Sequence, residues 1–169
     1  MENLWTPWRM DYILGKQGRE PGCIFDRKPE LTHDKEELIL YRGQNAVILL
    51  NRFPYANGHL LIAPARHVGE LHDLTPVEAA SLMEHIRHSV EILKKHLRPD
   101  GFNIGLNIGS VAGAGLADHL HFHVIPRWHG DHNFMTVIGE IRTIPQHIDE
   151  TFAMLLPDFL KLLQDINHE

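Results

Sequence analysis

A seven-residue segment constrains the fold of this chain more than any other part of its sequence. In HLHFHVI, residues 119–125, histidine occupies every second position until the segment ends in apolar residues, and leucine, phenylalanine and valine fill the positions between. Because successive side chains of a β-strand point to opposite faces, this alternation predicts a strand with three histidines on one face. Neighbouring histidines would stand roughly 6.6 Å apart, close enough to surround one phosphate group.

The histidine-rich strand is open to two other interpretations. Any half-exposed strand alternates apolar with polar residues, so the histidines could form only a solvated face. Imidazole is also the commonest protein ligand for zinc, and a His-x-His pair on a strand can occupy two coordination positions. Further ligands lie nearby in sequence, which keeps a metal-dependent hydrolase open as an alternative: Asp118, His129, Asp131 and His132.

Three apolar runs between residues 37 and 65 predict β-strands. The runs ELILY and AVILL flank the turn-like RGQN, which is typical of a hairpin. The third run, HLLIAPA at residues 59–65, follows the turn formers of RFPYANG, and we expect it to end at Pro64.

A long helix is predicted to begin at Thr75. Thr75 is the predicted N-cap, Pro76 the first helical residue, and Glu78 completes a capping box. The sequence RPDG at 98–101 ends the helix. One apolar stripe recurs at helical spacing and should pack on the sheet: Ala79, Leu82, Met83, Ile86, Val90, Leu93 and Leu97.

Two further elements complete the predicted fold. Apolar residues alternate with polar or glycine residues over 102–108, as in a half-buried strand, and Pro126 is expected to close the histidine strand. A second helix is predicted from Ile148 to Ile166, kinked or divided at Pro157. The order predicts one α+β domain with an antiparallel sheet. Residues 1–36 form an irregular wrapping segment, 37–135 the core and 136–169 a helical tail.

Composition excludes several classes of partner. The chain has 22 acidic and 16 basic residues and no Lys/Arg block, which argues against binding polymeric nucleic acid. No apolar run approaches the roughly 18 residues of a membrane span. The single cysteine, Cys23, and the absence of a signal-peptide pattern in the first residues favour a reducing cytoplasm.

Two separated segments carry a resemblance to a known family. HLHFHVI resembles the motif His-φ-His-φ-His-φ-φ of the histidine triad (HIT) family, where φ is apolar, and residues 51–67, NRFPYANGHLLIAPARH, are similar to that family's first signature block. The resemblance spans residues 37–135 and implies an antiparallel sheet with a long central helix and a C-terminal helix. Residues 4–13 and 119–135 further resemble a bacterial branch that includes diadenosine tetraphosphate phosphorylases.

The resemblance implies roles for four histidines. His121, the middle histidine, is the family's nucleophile, which would form a nucleotidyl-histidine intermediate. His119 and His123 would position the phosphate and polarise the reacting groups, and for His119 a purely orienting role is an equal alternative. His59 matches an additional family histidine, and a buried structural role is its alternative. Neutral imidazole, with a reference pKa of about 6.5, can attack phosphorus near neutral pH.

The resemblance also implies nucleotide contacts. Asn51 matches the position that binds the ribose hydroxyls, although it could instead cap the turn before Pro54. Asn107 matches a phosphate-side amide. Backbone N–H groups of the loop that contains Gly113, Ala114 and Gly115 could approach the phosphates, or the loop could be only a flexible connection.

Two departures from the family pattern affect the expected chemistry. Many bacterial relatives bind structural zinc through Cys-x-x-Cys, whereas this chain has Cys23 and Asp26. The missing cysteine argues against a zinc site, although aspartate can ligate zinc and His67 is a candidate partner. Some phosphorylase-like members carry Gly-Ser before the triad, where this chain has Ala114-Gly115. The loss of that hydroxyl weakens the expectation that phosphate is the acceptor.

The sequence thus predicts an enzyme that cleaves AMP derivatives such as dinucleoside polyphosphates at the α-phosphate, with water or phosphate as the acceptor. We expect no required cofactor and no catalytic metal, although a divalent cation could accompany a polyphosphate substrate. We expect a homodimer with the long helix and a neighbouring strand at the contact. The alternatives are a nucleotide-binding regulatory protein with negligible turnover and the metal-dependent hydrolase described above.

Overall fold

The computed structural model describes residues 22–28, 30–131, 144 and 146–165. The family-like flank at residues 4–13, the candidate ligand His132 and the predicted helix end at Ile166 therefore lie outside the described residues. Within the described residues, no helix is both long and apolar enough to cross a membrane.

In the part of the chain that the structure describes, five strands form one antiparallel sheet, as the sequence predicts. They are β1 (Ile39–Arg42), β2 (Ala46–Leu50), β3 (Leu60–Pro64), β4 (Gly101–Leu106) and β5 (Phe122–Arg127). Their order across the sheet is β1-β2-β3-β5-β4. The predicted hairpin of β1 and β2 is confirmed by their antiparallel pairing.

Strand β5 lies further along the chain than the predicted histidine strand. It begins at Phe122, so His119 and His121 precede it and only His123 lies in it, and it continues through Pro126, which was expected to end it. Proline has no N–H to donate, so within a sheet it needs a position where no ladder bond is required of it. The pairing of β3 with β5 reaches only as far as Val124, so Pro126 has a strand neighbour on the β4 side alone. The strand can therefore accommodate the proline.

Two helices cover one face of the sheet. Helix α1 (Pro76–Leu97) begins with the predicted capping box: the Thr75 hydroxyl accepts a hydrogen bond from the Glu78 N–H, and the Glu78 carboxylate accepts one from the Thr75 N–H. Helix α2 (Ile148–Asp165) contains Pro157 within a single helix, so the proline does not divide it.

The buried face of α1 is rotated from the predicted stripe. Ala79 and Met83 were expected to be buried, but both are exposed, Met83 by 61 %. Two polar residues, His85 and Ser89, are buried instead. His85 can be buried because its Nδ1–H donates to the Ser81 carbonyl (2.7 Å) and its ring packs on Tyr41. Most of the predicted stripe still packs in the core: Leu82, Ile86, Val90, Leu93 and Leu97.

Strand β4 is more exposed than its sequence predicts. Ile104 and Ile108 were expected to face the core, but they are 47 % and 41 % exposed. Among the described strands β4 is the last of the sheet and pairs with β5 alone, and the middle of the strand is exposed on both faces. The alternation of the sequence identifies a strand but not its place in the sheet.

The second face of the sheet is covered by part of the predicted wrapping segment. Phe25 is fully buried there and packs with an apolar cluster from the three strands β1, β2 and β3. The Phe25 ring also contacts His119 and His121, with centroid distances of 4.9 and 5.3 Å. This face, opposite the helices, therefore carries the histidines.

The Arg66–Glu78 pair predicts a pH-dependent contribution to stability. Both guanidinium contacts of Arg66 (2.8 and 2.9 Å), with the Thr75 cap, lower the pKa of Glu78 to about 2, below its ordinary value of about 4.3. The stabilisation is therefore present above pH 4.3 and is lost as the pH falls towards 2.

We expect Glu78→Gln to lower the free energy of unfolding by roughly 1–2 kcal/mol at pH 7. The difference from the unsubstituted protein should shrink as the pH falls towards 2. Urea unfolding at several pH values measures it. Glu91→Gln, which removes an exposed i,i+4 partner of Arg87, is the matched control and should cost less than about 0.5 kcal/mol. A pH-independent cost at Glu78 would contradict the assignment.

Candidate active site

His121 is held in one tautomer by the main chain. Its Nδ1 lies 2.8 Å from the carbonyl oxygen of His119, and because a carbonyl only accepts, Nδ1 must carry the proton. In the neutral ring, Nε2 therefore keeps its lone pair. Burial lowers the pKa of His121, so the ring is neutral near pH 7. The side chain, expected to line the surface, is only 7 % exposed.

His123 stands beside His121 with the opposite proton arrangement. The two ring centroids are 5.1 Å apart and the rings meet edge to face. His123 Nδ1 lies 2.9 Å from Nε2 of His59, a fully buried residue at the start of β3. Burial, with a smaller contribution from His121, lowers the pKa of His123 to about 4.

The main-chain N–H of Tyr55 decides which ring donates in the His59–His123 pair. This N–H lies 3.1 Å from Nδ1 of His59 and can only donate, so Nδ1 accepts and the His59 proton is on Nε2. His59 then donates to Nδ1 of His123, which leaves the proton of neutral His123 on its own Nε2. Neighbouring rings thus offer a lone pair, on His121, and an N–H donor, on His123.

Tyr55 is a site residue that the sequence analysis missed. Its ring stacks on His59, with a centroid distance of 4.9 Å and an interplanar angle of 29°, and lies 6.0 Å from the His123 ring. The available signal was Tyr55 itself, an aromatic residue among the turn formers of RFPYANG, the segment that directly precedes His59. Turn composition explains the proline, asparagine and glycine of that segment but not the tyrosine.

Asn51 takes the turn-capping role that was its alternative. Its Oδ1 accepts a hydrogen bond from the N–H of Phe53 (3.0 Å), and its Nδ2 lies 3.2 Å from Nδ1 of His59. The side chain therefore joins the turn to the histidine pair. Contact with a ribose stays a prediction.

The loop before the triad is exposed and contacts Asn107. A short 3₁₀ turn, Ser110–Ala112, is flanked by Gly109 and Gly113, both with positive φ (79° and 89°). Asn107 Nδ2 lies 3.5 Å from the Gly113 carbonyl oxygen. The predicted phosphate-side amide and Gly113 are thus adjacent, and Ala114 and Gly115 follow in the same loop.

Of the two roles expected for His119, its contacts favour the purely orienting one. Its Nε2–H donates to the carbonyl of Pro64 (2.9 Å), and its Nδ1 lies 3.2 Å from the sulfur of Cys23 and 3.5 Å from a carboxylate oxygen of Asp26. Both ring nitrogens are therefore engaged, and neither remains to position a phosphate. The interaction with Cys23 and Asp26 could not be read from the spacing of the triad.

Four side chains from distant parts of the chain meet at His119. The potential ligand atoms of Cys23, Asp26, His67 and His119 all lie within 4.8 Å of one another. One thiolate, one carboxylate and two imidazoles suit tetrahedral zinc, and the Pro64 contact directs the unprotonated Nδ1 of His119 at the group. These residues fit a metal ion, although the sequence argued against zinc.

Two ligands considered for a metal-dependent hydrolase are paired elsewhere. Asp131 accepts from Arg127 (2.6 Å), and His129 pairs with Asp100 (2.9 Å). Among the described residues, only the group around His119 brings together three or more candidate ligands. His121 is not a member of that group.

Comparisons with known proteins agree with this geometry. The HIT domain family model matches residues 32–130. An "AP-4-A phosphorylase" of Mycobacterium tuberculosis (strain H37Rv) is 41 % identical over 168 residues, covering 95 % of this chain and 86 % of that protein. The "bis(5'-nucleosyl)-tetraphosphatase [asymmetrical]" of Schizosaccharomyces pombe is 34 % identical over 93 residues, covering 55 % of this chain and 50 % of the relative.

A solved structure extends the comparison to the fold. It is a crystal structure of a zinc-bound histidine triad family protein from Mycobacterium smegmatis, which is 27 % identical to this chain. The match has a TM-score of 0.60 and covers 76 % of this chain and 87 % of that one. Because the HIT domain family model matches more than half of the residues of this chain, the chain belongs to the histidine triad family.

Proposed function

We propose that this protein cleaves dinucleoside polyphosphates and related AMP derivatives at the α-phosphate through a covalent intermediate on His121. The observation that carries the proposal is the proton arrangement of two adjacent rings, with a lone pair on Nε2 of His121 and an N–H on Nε2 of His123. The relatives named as dinucleoside polyphosphate phosphorylase and tetraphosphatase support the substrate class.

The first step is an in-line displacement. Nε2 of His121 attacks the α-phosphorus, a P–N bond forms, and the bond to the leaving oxygen breaks. The attached imidazole becomes cationic, and its Nδ1–H remains bonded to the His119 carbonyl, which stabilises that charge. A polyphosphate leaves as a stable anion, so the N–H of His123 serves to neutralise charge on the phosphate oxygens.

The second step reverses the first with a new nucleophile. Water or inorganic phosphate attacks the phosphorus, the P–N bond breaks and neutral His121 is restored. Water yields AMP and phosphate yields ADP. Because one substitution is divided into two in-line steps, catalysis depends mainly on positioning the reactants and on stabilising charge.

We propose the remaining nucleotide contacts on family resemblance and local geometry. The ribose lies at Asn51, and the phosphates at Asn107 and the loop of Gly113, Ala114 and Gly115. The N–H groups of Gly113 and Ala114 donate to the carbonyls of Ser110 and Gly109 (3.0 and 3.3 Å), so a phosphate would take the place of these two acceptors. The contact of Asn107 with Gly113 supports a shared role for the two.

We propose that a zinc ion bound by Cys23, Asp26, His67 and His119 has a structural role. The four ligand atoms fit one ion, and the relative from Mycobacterium smegmatis is described as zinc-bound. The ion would join the N-terminal segment to the residue that holds His121. The attack on phosphorus itself needs no metal, and a divalent cation accompanies polyphosphate substrates.

We further propose that the protein is a cytoplasmic homodimer. Strand β4 pairs on one side only among the described strands. The exposed Ile104 of β4, Ile108 just after it and Met83 on α1 support a contact through that strand and helix. The single cysteine is consistent with a reducing compartment.

His121→Ala is expected to lower the turnover of diadenosine tetraphosphate at least about 10³-fold, because the attacking atom is removed. Nucleotide affinity, measured by calorimetry, should change little. Because His121 is buried, circular dichroism must show that the variant is folded. His72→Ala, which changes a histidine that is 79 % exposed, is the matched control.

Full activity of a folded His121→Ala protein would refute the nucleophile. Stoichiometric nucleotide binding by the unsubstituted protein, with neither turnover nor a covalent adduct, would instead support the regulatory alternative.

Inorganic phosphate should accelerate cleavage of diadenosine tetraphosphate and divert the product from AMP to ADP. The reason is that phosphate is the better nucleophile towards the nucleotidyl-histidine if the loop at 113–115 holds it. Chromatography of the products across a phosphate series measures the ratio. AMP as the only α-phosphate product in millimolar phosphate would make the protein a hydrolase.

Removal of the metal should lower the melting temperature of the protein. The rate at which a small adenylate ester is cleaved should stay within about twofold, provided the assay is run where the metal-free protein is folded. Elemental analysis and thermal melts before and after chelation test this, with Cys23→Ser as the matched variant. Loss of the ester cleavage, restored by zinc in a protein that had stayed folded, would support a metal-dependent hydrolase.

A further inference from the structure

We propose that Tyr55 is a positioning residue of the active site, whose ring and main-chain N–H together keep the His59–His123 pair in one proton arrangement. The inference rests on the proposed nucleotidyl transfer for its catalytic consequence. Its structural content concerns only the substrate-free protein and can be tested separately.

The ring of Tyr55 covers the histidine pair on the outer side. It stacks on His59 at 4.9 Å and reaches His123 at 6.0 Å, while 48 % of the residue is exposed to solvent. His59, beneath it, is fully buried. The ring therefore stands between the pair and water, and aromatic stacking adds a modest attraction that favours this position.

The main chain of the same residue supplies the directing hydrogen bond. The N–H of Tyr55 donates to Nδ1 of His59 (3.1 Å), and His59 in turn donates from Nε2 to His123 (2.9 Å). If His59 turned or changed tautomer, Nδ1 of His123 would lose its donor, and the N–H of His123 would no longer be confined to Nε2. Tyr55 thus directs the hydrogen bonds of the His59–His123 pair through its main-chain N–H and covers the pair with its ring.

Protonation of His123 would break this arrangement, because His59 would then face a second donor. Two titratable rings contact His123, those of His59 and His121, together with the phenol ring of Tyr55. The strand residues paired with it, Leu61 and Gly105, do not titrate. Burial is the main reason that its pKa is lowered, so removal of the Tyr55 ring should raise that pKa towards the ordinary value of about 6.5.

The test compares Tyr55→Ala with Tyr55→Phe in the full chain. Long-range ¹H–¹⁵N spectra of the histidine rings report tautomers and pKa values without substrate. Tyr55→Phe keeps the ring, so the spectra should be unchanged and kcat should stay within about twofold of the unsubstituted protein. Leu71→Ala, at a surface residue of nearly equal exposure (47 %) in the turn before α1, controls for general destabilisation.

Tyr55→Ala keeps the main-chain N–H but removes the ring that confines His59 and covers the pair. Because His59 can then turn in part, we expect mixed tautomers for His59 and His123 and a higher titration midpoint for His123. We also expect kcat to fall at least about tenfold with less than about threefold change in KM. A folded Tyr55→Ala protein with the single-tautomer spectrum and unchanged His123 midpoint would overturn the inference. Altered spectra in a protein that never cleaves nucleotides would instead sustain the Tyr55 assignment and refute the proposed function.

Discussion

The hydrogen bond from His121 Nδ1 to the His119 carbonyl is the interaction on which the proposed chemistry depends. A carbonyl cannot donate, so this one contact decides that Nε2 holds the lone pair. It also connects the proposed nucleophile to the main chain of His119, whose ring is held at both nitrogens, by Pro64 and by the group around Cys23. The position of the attacking atom therefore depends on residues far away in sequence.

One face of the sheet carries most of the hydrophobic core, and the other carries the residues of the proposed chemistry. Helices α1 and α2 pack the larger core on one face, and Phe25 with its neighbours covers the other, where the histidines lie. The triad itself is divided as well. His121 and His123 face each other, whereas His119 joins the candidate metal group. The segment 119–125 thus supplies the proposed reacting pair, His121 and His123, and also His119, whose carbonyl holds His121.

Local sequence signals predicted the elements of the fold but not all of their surroundings. The capping box and the hairpin each follow from neighbouring residues, and the structure contains both. The histidine strand is only partly present, because β5 begins at Phe122 and only His123 of the three histidines lies in it. The exposure of Ile104 and the burial of His85 depend on which strand lies at the edge and how α1 is rotated, and no local pattern encodes either. The task that His119 performs depends on Cys23 and Asp26, some 96 and 93 positions earlier, and Tyr55 was hidden among turn formers.

The stereochemical course at phosphorus tests the account most directly. A dinucleoside polyphosphate with a chiral sulfur-substituted α-phosphate should be cleaved in isotopically labelled water or phosphate, and the configuration of the product determined. Each in-line displacement inverts the configuration, so the two steps through His121 predict net retention. Net inversion would show a single direct displacement and would contradict the covalent intermediate.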